Sequence, residues 1–161
     1  MSSEKDSKKC LLIVPGWSGP GNVDLARQVM AFLDLHSRED VIIIAESPVA
    51  KELKRFAASL DRDELLPDHV VRSQNGAPLE PEEFLNACFH LVPFEESKLQ
   101  CFIAAQNVQQ TYLWGSFVRM TGRTPEFLST AMVRSDPEAK EWYMRGVTYY
   151  VIHASLSFIH S

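Results

Sequence analysis

The sequence predicts an α/β protein with a Rossmann-like βαβ N-terminal half and a mostly helical C-terminal half. Three observations predict it. "CLLIV" (Cys10 to Val14) and "DVIII" (Asp40 to Ile44) are short, wholly apolar runs, as expected of strands covered on both faces. The segment between them repeats its apolar residues at helical spacing. Beyond Glu80 the apolar residues recur mainly at three and four positions, the period of helices. Two covered strands joined through one helix form a parallel βαβ unit, because parallel neighbours need a crossover.

Taken in order, "CLLIV" is the first strand, and a turn rich in glycine and proline follows it. Asn22 is placed to cap the helix "VDLARQVMAFLDLH", with Val23, Ala26, Met30 and Leu33 as its buried stripe and Asp24 at its positive end. "DVIII" is the second strand. Ser47 and Pro48 open the next helix, since proline is tolerated at the first helical position. "DHVVRS" reads as a third strand. Pro81 and its neighbouring acids start a helix whose buried face is Phe84, Leu85, Cys88 and Val92, stopped by Pro93. "KLQCFIAAQ" fits either a strand or a buried helical segment, and periodicity does not separate them. Val108, Tyr112, Leu113, Phe117 and Met120 mark a helix ending at Gly122, and Thr124 with Pro125 marks another start. The segment from Ala139 to Ser161 is expected as a long helix, although "VTYYVI" is rich in strand-favouring residues.

The 161 residues suit one domain with a real core, residues 10–161, behind a polar leader at 1–9 expected to be disordered. A formal charge of −5 and the absence of a Lys/Arg cluster exclude a duplex nucleic-acid or anionic-membrane partner. The start lacks a secretory apolar stretch, and "VTYYVIHASLSFI" is too short to span a bilayer. Cys10, Cys88 and Cys101 lie among apolar neighbours without CxxC spacing, which reads as buried reduced thiols and a cytosolic, cytoplasmic location.

"PGWSGPGN" (Pro15 to Asn22) carries the one candidate site. It lies between a buried strand and a helix N-terminus, where outward amides and the helix dipole suit a phosphate, a carboxylate or an oxyanion. Gly16, Gly19 and Gly21 permit close backbone approach. A tight β-to-α turn that needs glycine merely to turn has equal claim, because the spacing is neither GxGxxG nor the Walker pattern. The expected ligand-binding residues are Gly16, Trp17, Ser18, Gly19, Gly21 and Asn22 of the loop, with Glu46 and Ser47 lining the same sheet edge. Trp17 would act as a lid over a ligand or a plug into the core.

Three family resemblances reach these residues. "LLIVPGWSGPG" followed by "VIIIAES" resembles small serine hydrolases of the α/β-hydrolase fold, which would make Ser47 the nucleophile. The nucleophile elbow needs small flanking residues and an oxyanion-donating amide after the serine; here Pro48 has no N–H and Val49 stands where glycine belongs. "IIIAESPVAKEL" resembles the start of the topoisomerase–primase domain, which implies a catalytic Glu46 with Asp61 and Asp63 as metal ligands. Those aspartates should end a strand of their own, whereas here they follow a helix. Over roughly the first 70 residues the chain resembles the opening of two-domain nucleotide-sugar glycosyltransferases, which implies a glycine loop facing acceptor or phosphates.

Elsewhere no complete catalytic constellation stands in the sequence. The histidines His36, His69, His90, His153 and His160 show no zinc-ligand spacing, so neither a metal nor a cofactor is expected. Asp68 with His69 reads as a surface turn. The carboxylates of "EPEE" favour a helix start, and "DRDELLPD" a solvated helix end. The resulting expectation is a small soluble binding or interaction protein that docks a protein partner, or a second copy of itself as an oligomer, through its aromatic C-terminal segment. The alternative is a transferase-like enzyme or enzyme subunit that holds an anionic or phosphorylated small molecule at the loop from Gly16 to Asn22.

Overall fold

Strands that are apolar on both sides need a helical layer on each face, and that requirement organises the whole molecule. The computed structural model describes residues 8–16, 21–73, 77, 79–94, 97–104, 112–129 and 149–151. Its elements in chain order are β1 (Cys10–Val14), α1 (Gly21–Leu35), β2 (Val41–Glu46), α2 (Ser47–Leu60) and β3 (His69–Val71). They continue as α3 (Pro81–Leu91), β4 (Gln100–Ala104), α4 (Tyr112–Thr121), β5 (Glu126–Ser129) and β6 (Tyr149–Val151). Single 3₁₀ turns at Arg38–Asp40 and Asp63–Leu65 precede β2 and β3.

The strands form one six-stranded parallel sheet in the order β3-β2-β1-β4-β5-β6. The chain starts in the middle at β1 and winds outward to β3. It then returns past β1 to β4 and winds outward the other way, which is the order of the doubly wound dinucleotide-binding fold. The α/β class and the N-terminal βαβ unit are as the sequence predicts.

Alternation along the strands divides the core into two layers. Leu12 and Val14 of β1 with Val41, Ile43 and Ala45 of β2 face α1 and α2, where Leu25, Val29, Phe32 and Leu53 are fully buried. Leu11, Ile13, Ile44 and Ile103 face α3 and α4, where Phe84, Leu85, Cys88, Leu113 and Phe117 close the second layer. The expected α3 face of Phe84, Leu85, Cys88 and Val92 is buried throughout. In α1, Ala26 and Met30 are buried as expected, but Val23 and Leu33 are only half-buried. Leu25, Val29 and Phe32 take the central places because the helix contacts both the sheet and α2.

Three local expectations are corrected. Asn22 is not the N-cap of α1, which already includes Gly21, so Asn22 lies within the first turn. Thr124 and Pro125 do not start a helix: Glu126–Ser129 pairs in parallel with β4. A helix does not run through Tyr149–Val151, which forms β6 beside β5. At Glu126–Ser129 pairing with an existing sheet edge outweighs the local helix signals, and at Tyr149–Val151 the strand-favouring side chains prevail. "KLQCFIAAQ", open between strand and helix, contains β4.

Two arginines fix the entries to the strands. The Arg38 guanidinium donates to the carbonyls of Val41 (2.7 Å), Glu64 (2.8 Å) and Leu66 (3.1 Å) and to Asp68 Oδ2 (2.9 Å). Asp68 Oδ2 also accepts the Ile43 amide at 2.8 Å. Asp68 therefore ties β2 to the entry of β3, which His69 opens. Arg123 donates to the carbonyls of Phe94, Ser97 and Leu99 and lies 4.0 Å over the Phe94 ring, locking the turn before β4. Ile43→Ala in the fully buried centre of β2 is expected to cost about 3 kcal/mol, while Leu35→Ala, at a side chain 55% exposed, stays within about 0.5 kcal/mol. Urea denaturation of both variants measures the difference.

Candidate functional site

All strands run in one direction, so their carboxyl ends share one edge of the sheet. At that edge β1 ends at Val14, and α1 begins at Gly21. β2 ends at Glu46 and passes directly into α2 at Ser47. The strand order reverses between β1 and β4, and folds of this order take ligands in the crevice outside that point. Of the expected site residues, Trp17, Ser18 and Gly19 lie outside the described residues. Gly16, Gly21, Asn22, Glu46 and Ser47 all lie at the carboxyl edge, and Gly16 and Glu46 are in direct contact.

Glu46 is 1% exposed, which places a carboxylate among buried apolar side chains. Its position in β2 directs it to the same sheet face as Ile44, under α3. Its Oε1 accepts the Gly16 amide at 2.7 Å, and its Oε2 accepts the Leu79 amide at 2.7 Å. One side chain therefore joins the end of β1, the end of β2 and the segment entering α3. Burial raises its carboxyl above the usual glutamate value of 4.5, while the two amide bonds pull the other way.

Gly16 owes its identity to this contact. A Cβ placed there would lie 3.0 Å from Glu46 Oε1, 3.1 Å from Cδ and 3.3 Å from its Cβ. Any side chain at this position moves the carboxylate. The glycine is thus needed for close approach, whatever the rest of the loop does.

Ser47 makes a second link at the same edge. Its Oγ lies 2.9 Å from Ser73 Oγ and accepts the Ser73 amide at 3.0 Å, tying the start of α2 to the end of β3. This hydroxyl is bonded to a serine rather than to a general base, and Pro48 occupies the first turn of α2. The elbow chemistry of a serine hydrolase has no support in this geometry.

The metal set implied by the topoisomerase–primase resemblance is also separated. Asp61, at φ 53°, terminates α2, whose 14 residues carry Asp61 and Asp63 about 20 Å from Glu46. Among the described residues no group of three or more His, Cys, Asp or Glu could hold a metal ion. Cys10, Cys88 and Cys101 are free and buried, and burial pushes all three thiols up, Cys10 to about 11. They are inert as nucleophiles. Among the described residues no helix is long and apolar enough to cross a membrane.

Sequence reasoning singled out Glu46 and Ser47 but missed Ser73 and Leu79. Leu79 contributes only its backbone N–H, which no side-chain pattern announces. No protein-family model, curated protein or solved structure matches the chain.

The raised carboxyl of Glu46 has a definite sign in stability. Its folded-state pKa exceeds the unfolded one, so its contribution is fully present below about pH 4.5 and is lost as pH rises through the folded value. Wild-type unfolding free energy should therefore fall more steeply with rising pH than that of Glu46→Gln just above pH 4.5. Urea denaturation at stepped pH checks this, and parallel profiles would contradict it.

Proposed function

We propose that this chain binds an anionic small molecule at the carboxyl edge of its sheet, with the loop from Gly16 to Asn22 supplying backbone donors. The observation that carries the reading is the strand order, whose reversal between β1 and β4 lies beside that loop. The start of α1 adds the positive end of a helix dipole to the same place. Gly19 and Gly21 would allow the ligand to approach the backbone, and Trp17 would cover it. Glu46 and Ser47 would line the edge mainly by holding Gly16 and the β3 end in place. The reading is one of binding, and it assigns Ser47, whose hydroxyl is engaged by Ser73, a structural place at the edge. Free buried thiols support a reducing, cytosolic location.

A second reading has its own support. Among the described residues β6 (Tyr149–Val151) ends the sheet, and a terminal strand offers unpaired backbone groups to another chain. Through it and the aromatic residues around it, the chain would dock a protein partner or a second copy of itself.

Thermal unfolding against inorganic phosphate, nucleotides, nucleotide-sugars and simple carboxylates tests the first reading. A ligand at about one hundred times its Kd stabilises by about 2.7 kcal/mol, and Gly19→Asp should abolish the shift through added charge and bulk. A flat panel overturns the anion reading. Sedimentation equilibrium tests self-association, for which a mass rising with concentration and indifferent to these ligands is expected.

A further inference from the structure

Glu46 does more than fill a place in the core. It is the one acidic residue among the described residues that is buried to 1% exposure, and its two oxygens hold two segments that are remote in sequence. One oxygen holds the turn after β1; the other holds the amide two residues before α3. A carboxylate is rigid and planar, so its oxygens cannot move independently. Displacement of one is displacement of the other.

Among the described residues, little around it could substitute for it. Val14 and Val71, at the carboxyl ends of the flanking strands, are apolar, and Ser47 and Ser73 are bonded to each other. From α3 the titratable group that interacts with it is the Cys88 thiol, which the carboxylate helps push up. Arg72, Glu80, Glu82 and Glu83, on the adjoining segments, are exposed. An ionised Glu46 presents two acceptor oxygens to two amides. A protonated one turns one of those oxygens into a donor and weakens one of the two bonds.

We propose that Glu46 is a proton-sensitive coupling pin, through which a change at the Gly16 turn is felt at Leu79 and the start of α3. The pin works in both directions, since a carboxylate shifted from either amide is shifted from both. It needs no ligand. If the loop binds an anion as proposed above, the same pin would transmit that event to the face carrying α3.

Amide NMR and hydrogen exchange on the full chain test the coupling without any ligand, so failure here and failure of the binding reading are separate results. In the wild type the Gly16 and Leu79 amide resonances should titrate with one shared midpoint above 4.5. Gly16→Ala, whose Cβ would meet Oε1 at 3.0 Å, should speed exchange at Leu79 by at least about fivefold, the weight of one hydrogen bond. In a Glu46→Ala background the same Gly16→Ala change should leave Leu79 exchange unaltered. Separate midpoints, a Leu79 amide that ignores Gly16→Ala, or an equal response without Glu46 would each overturn the proposal. Should Glu46→Ala not fold, the wild-type titration and the single Gly16→Ala variant decide the matter.

Discussion

A parallel sheet has no face left for water, and this constraint governs the molecule. β1 is buried along its whole length, and β2 almost so, because helices cover both sides. Every polar group on those strands must therefore be satisfied by the protein itself. Most are satisfied by the ladder. Glu46 is the exception, a charged group at the end of a buried strand, and its two amide partners are what make its position tolerable.

The two edges of the sheet are held by opposite charges, and the helix directions favour the same arrangement. At the amino edge, Arg38 and Arg123 bind carbonyls at the strand entries. At the carboxyl edge, Glu46 binds amides. In a βαβ architecture the helices run against the strands. Helix C-termini, with their partial negative charge, gather at the amino edge, and helix N-termini, with partial positive charge, gather at the carboxyl edge. Cations suit the first and anions the second. The same asymmetry suits the carboxylate of Glu46, which lies at that edge.

The parts legible in the sequence were those carried by local residue type. The apolar runs of β1 and β2, the Pro48 and Pro81 helix starts and the buried face of α3 all follow from side-chain periodicity. Glu46 and Ser47 were legible as edge residues, because a charged and a polar residue interrupt an apolar run. β5 and β6 were not. Each is four residues or fewer, and each exists because an edge strand already stood beside it. The partners of Glu46 and Ser47 were equally hidden, since Leu79 gives a backbone amide and Ser73 lies beyond a helix and a strand.

By itself the sequence determined the class of the protein, the βαβ start and the place of a glycine turn at a strand-to-helix junction, because hydrophobic period and glycine or proline identity act within a few residues of themselves. Only the tertiary structure decided the order β3-β2-β1-β4-β5-β6 and the contact of Gly16 with Glu46. Both depend on which strands become neighbours across the fold. A carboxylate read along the chain is only a charge at the end of an apolar run; its role is set by the two amides that folding brings to it.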